Sequence, residues 1–161
     1  CPKGSGAEEF LLSKAYWRQS DYENARRFAL KGQNKFPSQA RFHVLLGMIS
    51  SSSNQPDQAI QHNRTAISLD PNNVDAFHNM GLVFLHMKRP NDAMRCFLQA
   101  INIEPRPISF FWLAKACEEA GYLSSSIKNY SKFLETSKIA DPVREEAVNC
   151  IETLTRSQKA L

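Results

Sequence analysis

Apolar and small residues return along this chain at a fixed step of 34 residues. Ala25, Ala59 and Ala93 keep that step, as do Pro37, Pro71 and Pro105 and the pair Gly47 and Gly81. With copies numbered from Gly6, Ala40 and Val74, position 7 is Leu12, Leu46 and Met80, and position 8 is Ser13, Gly47 and Gly81. A large apolar residue beside a small one lets two helices approach closely. Position 11 reads Tyr16, Ser50 and Phe84, position 20 is alanine in each copy, and position 27 reads Gly32, Ala66 and Ala100. The second helix of each copy therefore carries a small-residue stripe toward the first. Proline at position 32 ends that second helix, because it lacks the N–H and restricts the residue before it. Self-similarity at this period implies a stack of helix pairs, an architecture whose usual work is holding other proteins.

A fourth copy is present in eroded form, one residue early. From Pro107, Leu113 and Ala114 take positions 7 and 8, Cys117 takes 11, Ser126 takes 20, Tyr130 takes 24 and Phe133 takes 27. Its closing proline is missing. First-turn prolines Pro56 and Pro90, followed by Asp57 and Asp92, mark helix starts. The pattern predicts helix pairs over 7–19 and 22–35, 39–52 and 56–68, 74–87 and 90–102, and 108–120 and 123–136. A ninth helix is expected over 141–157, with Asp141 as its cap and Pro142 in its first turn. Its residues Val143, Ala147, Ile151 and Leu154 share an apolar face, while Arg144, Glu145, Asn149, Glu152 and Arg156 face away. Such a helix would cover the apolar face that a terminal repeat leaves open.

At these offsets the chain resembles the tetratricopeptide repeat family. The third copy carries the likeness most fully, as Phe77, Met80, Gly81, Phe84, Ala93, Phe97, Ala100 and Pro105. The second departs at His43, Ser50 and Asn63, and the first at Ser13, Ala29 and Gly32. The resemblance spans residues 6–137 and implies an all-α fold, a right-handed α-solenoid of about four helix pairs plus a C-terminal capping helix. Repeats are expected at about 6–39, 40–73, 74–106 and 107–139, inside a single domain over 7–157 that follows a flexible lead at 1–6.

The resemblance also implies that the first helix of each pair lines a concave wall. That wall takes Phe10, Lys14 and Trp17 from copy one, and Arg41, Val44 and Met48 from copy two. Copy three adds His78, Asn79, Leu82 and Leu85, and copy four adds Phe111, Trp112 and Lys115. Leu11, Leu45, Asp75, His86 and Ile108 fall there as well, with Leu11, Leu45 and Trp112 equally placed to pack on neighbouring helices. An aromatic and aliphatic wall with polar edges suits an extended segment or amphipathic helix, with Trp17, Phe111 and Trp112 as its expected energetic centres. Family members that grip an acidic carboxyl terminus use Lys, Asn and Arg at five such positions. From copy one this chain has Phe10, Lys14, Leu45, Asp75 and Asn79 there; from copy two it has Val44, Met48, Asn79, Ile108 and Trp112. Neither set is a cationic clamp, so a peptide with apolar anchors is the expected partner.

Composition changes this picture little. In 161 residues, 42% apolar and 22% charged describe an ordinary globular chain, and no apolar run approaches the roughly 20 residues that span a bilayer. Cys1, Cys96, Cys117 and Cys150 show no metal-ligand spacing and read as small hydrophobes of a reducing compartment, so a cytoplasmic location is expected. Cys1 also suits lipid attachment, which would give a periplasmic or outer-membrane lipoprotein and the one membrane contact considered.

Chemistry is sparse. His43, His62, His78 and His86 read as solvated or hydrogen-bonded side chains, and no metal site is expected. HExxH, P-loop and GxSxG patterns are absent, so the reading is no enzyme, no catalytic residue, no cofactor and no small-molecule substrate. The sequon Asn63-Arg64-Thr65 falls inside a predicted helix. Net charge is +4, with Arg26, Arg27, Lys31 and Lys35 together on one outer helix, yet no base-reading side chain recurs by repeat, which ranks nucleic acid below a protein partner. The expected function is a non-enzymatic adaptor in a larger assembly such as a bacterial pilus or secretion system. A chaperone for secreted hydrophobic subunits is the alternative.

Overall fold

The computed structural model describes residues 6–137 and 142–159, in which there are nine α-helices and no strand. These are α1 (Ala7–Arg18), α2 (Tyr22–Lys35), α3 (Ala40–Ser52), α4 (Pro56–Leu69), α5 (Val74–His86), α6 (Pro90–Ile103), α7 (Pro107–Glu119), α8 (Leu123–Thr136) and α9 (Pro142–Lys159). Their bounds match the sequence expectation to within two residues. Asp141 and Cys1 lie outside the described residues.

One turn is used four times. Ser20, Asn54, Lys88 and Gly121 all have positive φ, at 60, 56, 56 and 82 degrees. Each follows the first helix of a pair, at position 15 of its copy, and the early register of the fourth copy is kept. The next residue's N–H closes the helix on the carbonyl at position 11: Asp21 to Tyr16, Gln55 to Ser50, Arg89 to Phe84 and Tyr122 to Cys117, at 2.8–3.0 Å. This is the Schellman closure, for which glycine is the least strained residue. The second helices also end alike. The N–H groups of Phe36, Asp70, Glu104 and Ser137 reach the carbonyls of Gly32, Ala66, Ala100 and Phe133 at 2.8–2.9 Å.

The chain forms two compact units that divide between Val83 and Phe84. In the first, α1 packs on α2, α2 on α3 and α3 on α4. Ala25 and Ala29 of α2 meet Leu45, Leu46 and Ile49 of α3, with Phe10, Tyr16, Trp17 and Tyr22 around them. Ala40 and Val44 of α3 meet Ala66 of α4 and Ala76 of α5. The small residues at positions 20 and 27 set these distances. Gly32 has no room for a methyl group, since a Cβ there would fall 2.1 Å from the Phe42 ring.

In the second unit α6 packs on α7, α7 on α8 and α8 on α9. Phe111, Ala114, Tyr130, Phe133, Ala147 and Leu154 form its core, with Val143, Cys150 and Ile151 against it. The apolar face expected of α9 is thus the face that packs. Arg144 departs from its expected outward position, because Nη1 donates to the carbonyls of Leu134 and Ser137 at 2.8 and 2.9 Å, closing the end of α8.

The erosion of the fourth copy has a structural reason. In the first copy, Ser13 Oγ at position 8 donates to the Ala25 carbonyl at position 20, at 2.7 Å. In the fourth, the residues are exchanged: Ser126 Oγ at position 20 donates to the Ala114 carbonyl at position 8, at 2.9 Å. Either serine is completely buried and satisfied. One hydroxyl fits at this helix crossing, from either side.

Candidate functional site

A groove of about 270 Å³ opens in the first unit, between α1, α3 and the start of α5. Its floor is apolar, from Val44, Leu45 and Met48 of α3. Leu45 is only 1% exposed and Val44 8%, because both also pack the helix core; Met48 is half-buried and offers the accessible thioether. On one wall the Phe10 ring lies beneath two cations, with the Lys14 ammonium 5.6 Å and the Arg41 guanidinium 5.3 Å from its centroid. Arg41 also covers the buried Phe42 ring, at 5.2 Å. These contacts hold the charged ends over apolar surface at the groove edge.

The opposite wall has different chemistry. Asn73, Asp75 and Asn79 contribute it. Asn73 is fixed from two sides: its Oδ1 accepts from the Ala76 N–H at 3.0 Å, and its Nδ2 donates to Asp70 at 2.9 Å. It thereby caps α5 while its remaining surface faces the groove. Asn79 Nδ2 is buried and meets no acceptor among the described residues.

Six of the sequence-assigned wall residues therefore meet in one place: Phe10, Lys14, Arg41, Val44, Met48 and Asn79. Leu45 and Asp75 join them. Asn73 was missed because an asparagine just before a helix reads first as a cap, which it also is.

The other assigned residues do not line this groove. Trp17 packs with the first-unit core, and its indole N–H donates to Ser52 at 2.9 Å. His78 and Leu82 are half-buried on α5, and Leu85 is buried at 7% exposure. Phe111 is a correction: at 2% exposure it is core, packed edge-on against Tyr130 and Phe133 with centroids 5.6 and 5.4 Å apart. A contact residue needs free surface, and this ring has almost none. Trp112 packs beside it, with centroids 5.5 Å apart. Lys115 pairs with Glu146 at 2.5 Å; burial, the largest single influence, opposes its charge, but the hydrogen bond to Glu146 together with the charge interactions of Glu146, Cys150 and Glu118 outweighs it and raises its pKa. Leu11, equally placed for packing, is instead 64% exposed.

Two histidines outside the groove come together, which neither helix alone discloses. His43 on α3 and His62 on α4 have ring centroids 6.0 Å apart. Burial lowers the His43 pKa; burial, then the neighbouring His43 and Arg26, lower that of His62. Gln33 Nε2 lies 3.4 Å from His43 Nε2, and His43 Nδ1 is buried without a hydrogen-bond partner among the described residues. Among the described residues no three His, Cys, Asp or Glu side chains are grouped to hold a metal ion.

Cysteine and glycan chemistry is equally confined. Cys96 and Cys117 are buried and Cys150 is half-buried; burial pushes the Cys117 pKa up. Asn63 of the sequon is completely buried in α4, with Nδ2 donating to the Ala59 carbonyl at 2.9 Å, and so presents no acceptor amide. Among the described residues no helix is long and apolar enough to cross a membrane.

Comparison with known proteins agrees with this geometry. Residues 52–88 match a family described as TPR repeat, and residues 74–107 match one described as Tetratricopeptide repeat. Human protein O-mannosyl-transferase TMTC3 is 26% identical over 105 residues, a stretch covering 64% of this chain and 12% of that protein. The chain thus spans about one eighth of the length of that relative. Among solved structures, TTC0263, a thermophilic TPR protein of Thermus thermophilus, superposes with a TM-score of 0.81 at 16% identity, covering 89% of this chain and 79% of its own. A structure titled MamA RS-1 ArsTM double mutant gives 0.73 at 16% identity over 100% of both chains, and one titled MamA gives 0.70 at 16% identity, over 92% and 95%. These likenesses show the fold, an all-α solenoid of helix pairs.

Proposed function

Because the chain belongs to the tetratricopeptide repeat family, whose helix pairs serve as scaffolds for protein–protein contact, we propose that its first unit holds a polypeptide segment by an apolar anchor seated on Met48, with Val44 and Leu45 supporting the floor beneath it. The observation that carries this reading is the groove itself, which has an apolar floor and polar walls on a rigid set of helices. That is the construction of a peptide site, where burial supplies affinity and a few rim groups supply orientation. No bond is made or broken in such holding. The transferase likeness covers 105 residues, 12% of that protein, and fits a repeat module whose part in any larger machine is to position a partner.

Selection from a displayed library of internal twelve-residue segments tests the reading. Intact chain should enrich segments with a Leu, Ile, Met or Phe anchor. Met48→Glu should release them while circular dichroism shows helical content retained, because Met48 is half-buried at the groove, on the edge of the Ala40, Val44, Ala66 and Ala76 cluster. Leu98→Glu, on an exposed leucine of α6, should leave capture intact. Equal capture by wild type and Met48→Glu would refute the assignment.

A further inference from the structure

We propose that His43 and His62 form a binding site for a divalent transition-metal ion of the zinc class, with Gln33 fixing the orientation of the first imidazole.

The two rings come from different helices, α3 and α4, and their centroids lie 6.0 Å apart with the planes tilted by 42 degrees, so they are not stacked. An ion held by two imidazole nitrogens at about 2.0–2.1 Å sits roughly 3.2 Å from each ring centre, which puts the centres about 5–6.5 Å apart as the angle at the metal opens from tetrahedral to linear. The observed spacing falls inside that range. His43 is the unusual member. It occupies position 4 of its copy, where the next two copies carry Phe77 and Phe110, so helix packing alone accepts an apolar ring here. An imidazole instead brings two nitrogens into a place that is 8% exposed. One of them, Nε2, lies 3.4 Å from the Gln33 side-chain amide, and the other, Nδ1, is buried without a hydrogen-bond partner among the described residues. With the Gln33 amide turned so that its carbonyl accepts from Nε2–H, the ring lone pair falls on Nδ1. That is the arrangement of a metal-ligating histidine, whose second nitrogen donates to a carbonyl that fixes its tautomer. A buried nitrogen left unmatched costs stability, and an ion shared with His62 would satisfy it.

The surroundings set the kind of ion. No third His, Cys, Asp or Glu joins the pair among the described residues, so water completes the coordination, from the solvent side that half-buried His62 leaves open. Nitrogen donors without a carboxylate select zinc-like ions over calcium or magnesium, which need oxygen. Arg26 also acts on His62, and its charge opposes the ion. The guanidinium is held by Gln55 and Gln58, at 2.7 and 3.4 Å, so it lowers the affinity by a fixed amount that a substitution can remove.

Calorimetric titration of Zn2+ into the intact chain tests the proposal. His62→Gln should weaken binding at least about tenfold. Gln33→Leu should weaken it about tenfold, as expected when the partner that orients a ligand is lost. Arg26→Gln should tighten it about two- to fivefold, the effect of removing one partly exposed like charge. His86→Gln, on an exposed histidine, should change nothing. Zn2+ should also raise the urea midpoint of the wild type and leave that of His62→Gln where it is, and the metal-free unfolding curve of the variant checks that it folds. Equal binding by wild type and His62→Gln would put the ion elsewhere on the chain and overturn the proposal. Absence of both heat and midpoint shift at millimolar Zn2+ would overturn it as well, and unchanged affinity in Gln33→Leu would overturn the role given to Gln33.

Discussion

Replacing Gly32 by alanine pits local helix preference against packing, and the structure says which wins. Gly32 lies inside α2, where glycine is about 1 kcal/mol less favourable than alanine. The corresponding residues of the next two copies, Ala66 and Ala100, are alanines, so repeat consensus alone recommends the change. The Phe42 ring forbids it. A methyl at Gly32 would lie 2.1, 2.5 and 2.7 Å from three ring carbons, well inside van der Waals contact. Nor can the ring retreat easily: it is completely buried, with Phe10, Phe36 and the Arg41 guanidinium around it at 6.3, 6.5 and 5.2 Å. Overpacking of this kind costs about 1–3 kcal/mol, so Gly32→Ala should lose up to about 2 kcal/mol net of its helix gain. Shortening the ring relieves the conflict. In a Phe42→Leu background, the same alanine should be better tolerated by about 1–2 kcal/mol than in the wild type, because Cε1 and Cζ, the two nearest obstructing atoms, are gone. Urea unfolding followed by circular dichroism on the four chains of this double-mutant cycle measures both effects. A stabilised Gly32→Ala in the wild-type background, or equal effects in both backgrounds, would refute the reasoning.

Other outcomes follow from the turns, the histidine pair and the second-unit core. Ser20→Gly should stabilise by about 0.5–1 kcal/mol in the same assay, since it relieves positive φ at a helix closure, while Gly121→Ala should cost about 1 kcal/mol although nothing lies within 4 Å of its new Cβ. Acid should destabilise the first unit through His43 and His62. Their folded pKa values lie below the ordinary 6.5, so the unfolded chain binds more protons and stability falls as pH drops below that value. A steeper urea dependence between about pH 6.5 and 5, above the carboxylate range, should flatten in His43→Gln/His62→Gln, and an unchanged slope would count against the pair. Tyr130 should ionise at a higher pH in ultraviolet difference titration than an ordinary tyrosine, which titrates near 10. Burial, then Cys150 and the Glu118 carboxylate that accepts its hydroxyl at 2.9 Å, raise its pKa, and normal titration would show that the ring is accessible.

The helices were legible because their signals are local and repeated. Proline after the second helix of each of the first three copies and the apolar spacing of α9 act within a few residues. Contacts between helices were harder to read. Phe111 has the spacing of a wall residue, yet the large rings of Tyr130 and Phe133 enclose it. Ser126 looked like decay until its hydroxyl met the Ala114 carbonyl across the helix pair. His43 and His62 sit on different helices, so their approach depends on the crossing and not on either spacing.

The groove residues were found for a complementary reason. Positions 8, 11, 15, 20 and 27 build the crossings and turns, and their occupants are restricted by distances such as the 2.1 Å conflict at Gly32. Positions 2, 5, 6 and 9 of the first helices bear less of that restriction, and here they carry Arg41, Asp75, Val44, Asn79, Lys14 and Met48. Arg41 and Asp75 hold the same place in successive copies and have opposite charge. The information that builds the fold therefore resides where successive copies agree.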